Sequence, residues 1–297
     1  MYSRNFLLIF FLFNFTCLFA QKNNGYQITD PDFSYGIYCN VPSKSMNKSF
    51  PALIFTPTDY LKSNKAYPVV YMLHGTNSMQ LNEKGIREMY NPSTKMREMA
   101  EMFKTIIVAP LVGNTYYLNS PLMKENLYAT FISCELTNFV DENYRTLSER
   151  NGRILCGFSM GGYGAVSLLC RYPDIFSIAI ERAGVLNLAT NLTDLNWDKI
   201  DENITTVLGD YYTHGENYHL NSCFNLINHI RERKDISFVI EVGREDFLYK
   251  TNQSFHQKLL ELHIPHIYNE TEGGHEWNAN SLRSLLSNLQ YFRQTQF

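Results

Sequence analysis

Short apolar runs recur along this 297-residue chain, and helical patterns separate most of them. Several runs are continuously apolar rather than alternating with polar residues, which is typical of strands covered on both faces. Strands that alternate with helices predict an α/β fold: a mostly parallel, doubly wound sheet with helices on both faces. The predicted strands are 52–55, 67–73, 105–109, 153–156, 176–180, 236–242 and 266–268. The predicted helices are 127–144, 163–172, 254–263 and 278–292.

The fourth predicted strand runs into the segment LCGFSMGGYG, residues 155–164. In this segment Gly157, Ser159 and Gly161 form a G-x-S-x-G motif. A strand before the motif and a small-residue helix start after it are the context of a nucleophile elbow, in which a tight turn exposes the serine hydroxyl. A side chain at either glycine would collide with the neighbouring strand or helix. The sequence therefore predicts Ser159 as a nucleophile at the carboxyl edge of the sheet.

A serine nucleophile needs a base, and the base needs an acid that orients it. On this fold the acid follows the serine in the sequence, and the histidine base follows the acid. The sixth predicted strand is followed by the loop that holds Glu245 and Asp246. Asp246 is the predicted acid because it lies farther into the loop after Gly243, and Glu245 is the competitor. His275 is the predicted base, since it follows two glycines after the last strand. His74 as base would require a histidine-first order that is foreign to this fold.

Attack by a serine nucleophile on a carbonyl group creates a negatively charged oxygen, the oxyanion, which backbone N–H groups are expected to stabilise. One is predicted at Met160, the residue after the nucleophile, and the other at Thr76, where Gly75 allows close approach. No metal site is expected, because the sequence has no H-E-x-x-H motif and no C-x-x-C pair. No cofactor is expected either, because a strand-linked G-x-G-x-x-G and a Walker A motif are both missing from the sequence.

The N-terminus differs in composition from the rest of the chain. Arg4 precedes an almost wholly apolar run over 6–20, which ends in Ala20 and a polar segment. This order predicts a secretory signal peptide at residues 1–20 and a secreted or periplasmic protein. The run is short for a membrane-spanning helix, so no stable membrane insertion is expected after cleavage; an uncleaved anchor is the alternative. Residues 21–297 are predicted to form one domain.

Charge and cysteine content narrow the classes further. The formal net charge of −3 and the lack of a Lys/Arg run argue against nucleic-acid binding. Five cysteines after cleavage are too sparse for a disulfide framework, although a single Cys39–Cys223 bridge is left open. A polar stretch at 187–221 interrupts the strand–helix rhythm. It is interpreted either as an inserted cap or as an ordinary solvated connection.

With these residues in hand, the chain resembles the esterase D / tributyrin esterase group of the α/β-hydrolases. That group also holds acetylxylan and feruloyl esterases and the antigen 85 mycolyltransferases. The resemblance rests on six segments: 71–75 (YMLHG), 119–121 (NSP), 157–165 (GFSMGGYGA), 171–176 (RYPDIF), 243–246 (GRED) and 273–277 (GGHEW). It implies the α/β-hydrolase fold, the triad Ser159, Asp246 and His275, and oxyanion-hole positions at Thr76 and Met160.

The same resemblance suggests two substrate-binding residues. Ser120 lies in the segment 119–121, which lines the cleft in relatives, although Asn119 stands where relatives often have Asp. Trp277 resembles the family's aromatic residue after the histidine and is expected beside the acyl site or in the core.

Together these features predict a secreted serine carboxylesterase. The expected substrates are short-chain acyl esters, acetyl above all, on a small ester or an acylated saccharide such as acetylated or feruloylated plant polysaccharide. One alternative is an acyltransferase of the mycolyltransferase type on the same triad. Another is a non-catalytic binding module on an esterase scaffold. A homo-oligomer is left open.

Overall fold

The computed structural model describes residues 36–77, 79–90, 95–188, 202–278, 280–284 and 286–288. The predicted signal peptide at 1–20 lies outside the described residues, as do 189–201 of the polar stretch and the end of the last predicted helix.

Eight strands form a single sheet. They are β1 Ile37–Ser43, β2 Lys48–Phe55, β3 Val69–Leu73, β4 Ile106–Pro110, β5 Arg153–Phe158, β6 Ile178–Arg182, β7 Ser237–Gly243 and β8 His266–Thr271. Their order across the sheet is β1-β2-β4-β3-β5-β6-β7-β8. The β1–β2 and β2–β4 pairs are antiparallel, and every other neighbouring pair is parallel. The predicted α/β class and the mostly parallel sheet are confirmed, and the arrangement is the α/β-hydrolase fold.

Helices connect these strands. They are α1 Glu83–Met89, α2 Met96–Met102, α3 Tyr128–Thr130, α4 Thr137–Asn143, α5 Met160–Arg171, α6 Glu202–Leu208, α7 Tyr211–Asn221, α8 Cys223–Leu226 and α9 Tyr249–Glu261. A π-helical segment, Phe131–Leu136, joins α3 to α4 into one continuous stretch. Residues 280–284 and 286–288 are also helical.

The sequence-based boundaries hold for most of the predicted elements, but the prediction misses strand β1 and helices α1 and α2. The structure adds β1, which pairs with β2 in a hairpin at the antiparallel edge. Asn40 and Pro42 interrupt the apolar character of β1, so it lacks the continuous run that marks the inner strands. The polar stretch at 187–221 contains two helices, α6 and α7, within its described part.

The sheet is covered on both faces, as the continuous apolar runs predicted. On one face Tyr71 and Phe238 belong to a buried cluster that includes the side chains of α5. On the other face Met72 and Val239 belong to a second cluster that includes α2 and Leu282. Because successive strand residues point to opposite faces, an inner strand needs apolar residues at every position.

The packing of α5 on the sheet is close enough to require glycine. A Cβ at Gly161 would lie 2.0 Å from the carbonyl oxygen of Leu73 in β3, and one at Gly157 would lie 2.1 Å from the carbonyl oxygen of Gly161. No backbone atom can yield that much space without the helix moving away from the sheet. The steric role predicted for both glycines is confirmed.

We expect Gly161→Ala to destabilise the fold by about 3 kcal/mol, because the new methyl group collides with backbone. The matched control is Gly215→Ala inside α7, where an added Cβ meets no atom within 4 Å. Because Gly215 follows the kink of α7 at His214, that control should change the free energy of unfolding by no more than about 0.5 kcal/mol. Urea unfolding of both variants measures the difference. Equal stability of Gly161→Ala and the wild type would contradict the tight approach of α5 to β3.

Candidate active site

Ser159 occupies a strained turn between β5 and α5. Its backbone has φ 57° and ψ −118°, a left-handed φ that is uncommon for residues other than glycine. Two backbone hydrogen bonds hold it there: Ser159 N–H donates to the carbonyl of Arg182 at 3.0 Å, and Tyr163 N–H donates to the carbonyl of Ser159 at 3.0 Å. The first bond continues the β5–β6 ladder, and the second begins α5. This is the strand–turn–helix geometry of a nucleophile elbow.

The loops after β7 and β8 bring an acid and a histidine together. Asp246 Oδ2 accepts a hydrogen bond from His275 Nδ1 at 2.9 Å, and Asp246 Oδ1 accepts one from Leu248 N–H at 2.8 Å. Asp246 is 5% exposed, whereas the competing Glu245 is exposed to solvent. A proton on Nδ1 leaves His275 Nε2 as the acceptor, which is the tautomer a general base needs.

Backbone contacts fix these two loops against each other. Glu245 N–H donates to the carbonyl of Gly273 at 3.1 Å, and Arg244 N–H donates to that of Thr271 at 2.9 Å. A Cβ at Gly243 would lie 2.2 Å from the Gly273 oxygen, so the loops touch through glycine backbone. The positions of Asp246 and His275 therefore depend on the pairing of β7 with β8.

Aromatic rings flank the imidazole. The ring centroids of Phe158 and Phe247 each lie 4.5 Å from that of His275. Trp277 stacks on Phe158 at 5.6 Å and packs against the second core cluster. Phe158 precedes Ser159 in the sequence, and Phe247 follows Asp246. The sequence neighbours of Ser159 and Asp246 therefore both contact the ring of His275. The place of Trp277 in substrate binding stays a prediction.

The loop after β3 approaches the nucleophile at Gly75. A Cβ at Gly75 would lie 3.4 Å from both the Cβ of Ser159 and the carbonyl oxygen of Phe158. Thr76, next in the chain, is exposed, and Met160 is fully buried at the start of α5. Gly75 therefore lies beside Ser159, and Met160 follows Ser159 in the chain. The oxyanion role of the Thr76 and Met160 N–H groups stays a prediction.

His74 anchors this loop instead of serving as a base. Its Nε2 accepts a hydrogen bond from Val112 N–H at 3.2 Å, and its carbonyl accepts one from the Tyr117 hydroxyl at 2.8 Å. Burial lowers the pKa of His74 from 6.5 to about 4, because the charged imidazolium would lose its hydration. A neutral, hydrogen-bonded His74 holds the end of β3 to the segment after β4.

The segment after β4 also holds helix α6. Asn114 Oδ1 accepts from Asn77 N–H at 2.7 Å, and Asn114 Nδ2 donates to Asn203 Oδ1 at 3.1 Å. Ser120 is 7% exposed, and its hydroxyl donates to the carbonyl of Val207 at 2.7 Å. The hydroxyl of Ser120 therefore ties this segment to α6. The role of Ser120 in substrate binding stays a prediction, without a contact to the candidate triad that supports it.

Three charged residues at the carboxyl edge were not predicted as site residues. Arg182 and Glu241 form a buried ion pair at 2.5 Å across β6 and β7. Glu181 is fully buried; its Oε2 accepts from Gly184 N–H at 2.7 Å, and its Oε1 has no partner among the described residues. Burial raises the pKa of Glu181 well above its usual value. The sequence signal that could have identified these three residues is the presence of a charged residue within or directly after an apolar strand run.

The described residues contain no group of three or more His, Cys, Asp or Glu side chains arranged to hold a metal ion. Within the same ranges no helix has the length and apolarity needed to cross a membrane. Cys39, Cys134, Cys156, Cys170 and Cys223 are all free thiols in the structure.

Comparison with known proteins places this geometry in a family. Residues 43–288 match the family described as "Putative esterase". The chain belongs to this family. It is 24% identical over 258 residues to an esterase of Mycobacterium tuberculosis, a match that covers 80% of this chain and 54% of that protein. The chain thus spans about half the length of that relative.

Two further similarities have fuller coverage. An acetyl esterase of Caldicellulosiruptor saccharolyticus is 23% identical over 263 residues, covering 80% of this chain and 91% of that protein. The solved structure of a fluorophosphonate-binding serine hydrolase of Staphylococcus aureus superposes with a TM-score of 0.71 at 20% identity, covering 86% and 96% of the two chains. These matches assign the chain to the putative-esterase family and agree with its α/β-hydrolase fold.

The low pKa of His74 has a consequence for stability. Between pH 6.5 and about 4 the unfolded chain binds a proton at His74 that the folded chain does not. The contribution of His74 to the free energy of unfolding is therefore fully present above pH 6.5. It is lost as the pH falls towards 4, by up to about 3 kcal/mol. Urea unfolding from pH 7 to 4.5 should show a shallower pH dependence for His74→Gln than for the wild type.

The control for this prediction is His229→Gln, which changes an exposed histidine. Its pH dependence should match that of the wild type. Parallel curves for His74→Gln and the wild type would show that His74 titrates normally in the folded protein.

Proposed function

We propose that this chain is a secreted serine carboxylesterase that hydrolyses short-chain acyl esters, acetyl esters above all, by an acyl-enzyme mechanism. The observation that carries the proposal is the meeting of three strand ends. Ser159 sits on a strained elbow after β5, and a hydrogen-bonded Asp246–His275 pair follows β7 and β8. The ring of Phe158, the residue before the nucleophile, contacts the ring of His275.

In the first half of the proposed reaction, Ser159 Oγ attacks the ester carbonyl while His275 Nε2 accepts its proton. Asp246 Oδ2 accepts the hydrogen bond from Nδ1–H and stabilises the imidazolium that forms. The N–H groups of Met160 and Thr76 receive the oxyanion, and the N-terminus of α5 adds its dipole. His275 then protonates the departing alkoxide, which leaves an acyl-Ser159 ester and an alcohol.

In the second half, His275 Nε2 takes a proton from water, and the hydroxide attacks the acyl-enzyme carbonyl. The tetrahedral intermediate collapses, and His275 returns the proton to Ser159 Oγ. The carboxylic acid leaves, and the free enzyme is restored. No metal or cofactor takes part in this scheme.

One observation supports a short acyl group. The acetyl esterase of Caldicellulosiruptor saccharolyticus matches this chain over 91% of its own length. We propose an acylated saccharide as substrate, with feruloyl esters as the alternative acyl class.

Export is part of the proposal and rests on the sequence of residues 1–20 alone, where a charged residue precedes an apolar run and a small residue. Intact mass of the protein recovered outside the expressing cell checks it. A mature chain beginning near Gln21 is the expected result, and retention of residues 1–20 would overturn it.

The esterase assay uses p-nitrophenyl acetate, butyrate and octanoate. We expect activity to fall with chain length in the wild type and to be lost in Ser159→Ala. Asp246→Asn should lower kcat by about 10⁴-fold, because the wrong histidine tautomer is favoured. The matched control is Glu245→Gln, the exposed neighbour, which should retain wild-type kcat. Equal rates in the wild type and Ser159→Ala on all three esters would reject a general esterase.

The same assay separates the remaining alternatives. Adding sugar alcohols as acceptors and analysing the products by mass spectrometry distinguishes hydrolysis from acyl transfer. Free acid as the main product supports the esterase, and an acylated sugar supports a transferase on the same triad. Saccharide binding without turnover of any ester would indicate a binding module.

A further inference from the structure

Arg182 lies buried at the end of β6, beneath the loop that carries His275. Its Nε donates to the carbonyl of Glu276 at 2.9 Å, and Nη1 donates to Thr271 Oγ1 at 3.2 Å. Nη1 also forms the 2.5 Å ion pair with Glu241 in β7. Arg182 thus contacts β7, the end of β8 and the residue directly after His275 through one planar group, and the residue as a whole is 5% exposed.

The backbone of the same residue holds the nucleophile. The carbonyl of Arg182 accepts the hydrogen bond from Ser159 N–H at 3.0 Å, the bond that fixes the strained elbow. Ser159 and the His275 loop are therefore both attached to one residue, the first through its main chain and the second through its side chain. A single residue, Arg182, therefore relates the position of Ser159 to that of the His275 loop.

The His275 loop has freedom that such an attachment removes. Gly273 has φ 86°, and a Cβ at Gly274 would meet nothing closer than 3.6 Å. Two successive glycines let the chain turn sharply, and they also leave it many accessible conformations. The carbonyl of Glu276, two residues beyond Gly274, is the point at which Arg182 restrains this segment.

The ion pair with Glu241 fixes the guanidinium itself. Arg182 and Glu241 are register partners in the parallel β6–β7 ladder, so their side chains lie on the same face. Glu241 Oε2 accepts a further hydrogen bond from Ser284 Oγ at 2.5 Å. A guanidinium donates in several fixed directions at once, whereas the ammonium of lysine is a compact point charge on a flexible stem. Lysine could pair with Glu241 but could not reproduce the bond from Nε to Glu276.

We propose that Arg182 is a positioning residue that sets the distance between Ser159 and His275, acting through the carbonyl of Glu276 and the carbonyl of its own residue. The inference rests on the proposed function, because it assigns a role within the same triad. Arg182 touches neither substrate nor the reacting atoms.

The experiment compares Arg182→Lys with the wild type in two assays. In p-nitrophenyl acetate hydrolysis we expect kcat to fall by about 10- to 100-fold with KM within about 3-fold, because a displacement near 1 Å at the reacting groups has an effect of this size. In the second assay a fluorophosphonate probe labels Ser159, and its second-order rate constant should fall by a similar factor. Circular dichroism and urea unfolding establish that the variant is folded at the assay temperature.

The matched control is Arg150→Lys. Arg150 also donates from Nε to a backbone carbonyl, that of Pro173 at 2.9 Å, and pairs with Asp235 at 3.1 Å. It precedes β5 and so lies at the amino edge of the sheet, away from Ser159. We expect this control to lose stability while keeping wild-type kcat and wild-type labelling. Wild-type kcat in folded Arg182→Lys, or an equal fall in both arginine variants, would overturn the positioning role.

Thr271→Val provides a second test if Arg182→Lys does not fold. Valine keeps the β-branched shape in β8 and removes only the oxygen that Arg182 contacts. We expect a fall of about 2- to 5-fold in both kcat and the labelling rate at unchanged KM; unchanged rates in this folded variant would count against the proposal. The labelling assay needs no ester substrate. Labelling of the wild type without ester turnover would therefore reject the esterase proposal and still leave the role of Arg182 measurable.

Discussion

The approach of α5 to the end of β3 is the contact on which the geometry of this site depends. Gly161 lies so close to Leu73 that a Cβ would be 2.0 Å from its carbonyl oxygen. Because the helix starts so near the sheet, the chain must turn within a single residue between β5 and α5. Ser159 is that residue, and its φ of 57° is the consequence. The strain is held by packing and by ladder hydrogen bonds on both sides.

The same edge of the sheet collects the other groups through parallel pairing. β5, β6, β7 and β8 are successive neighbours and all run in the same direction, so their carboxyl ends lie side by side. Asp246 and His275 come from neighbouring strands and meet directly. Ser159 lies two strands away from β7, and β6 fills the space between. The residue at the end of β6 is therefore the one that can contact both sides, which is the place of Arg182.

Much of this arrangement follows from local sequence. The inner strands are continuous apolar runs. Gly157, Gly243 and the glycines before His275 lie at or just after the ends of these runs. These signals are local because a parallel sheet buried on both faces demands apolar residues at every position. The predicted partnership of Asp246 with His275, and the preference over Glu245, agree with the hydrogen bond in the structure.

The remainder depends on contacts between distant residues. The Arg182–Glu241 pair joins residues 59 positions apart. The pair forms because β6 and β7 place these two residues in register, and no local sequence pattern specifies that register. His74 looked like a rival base because its sequence shows a histidine after a strand. Its buried contact with Val112 appears only when β3 and β4 lie side by side. Likewise β1 lacks an apolar run because it is an edge strand, for which alternation and prolyl residues are tolerated.

Two glutamates at the carboxyl edge show how charge is distributed around the site. Glu241 is paired with Arg182, while Glu181, one residue earlier on β6, points to the opposite face and receives one backbone hydrogen bond. Its Oε2 lies beside the first turn of α5, 3.0 Å from where a Cβ at Gly162 would be. A carboxylate there would interact with the same N-terminal dipole that the proposed oxyanion site at Met160 would use. Burial raises the pKa of Glu181 well above its usual value, which weakens the competition of this carboxyl group for the dipole at the start of α5.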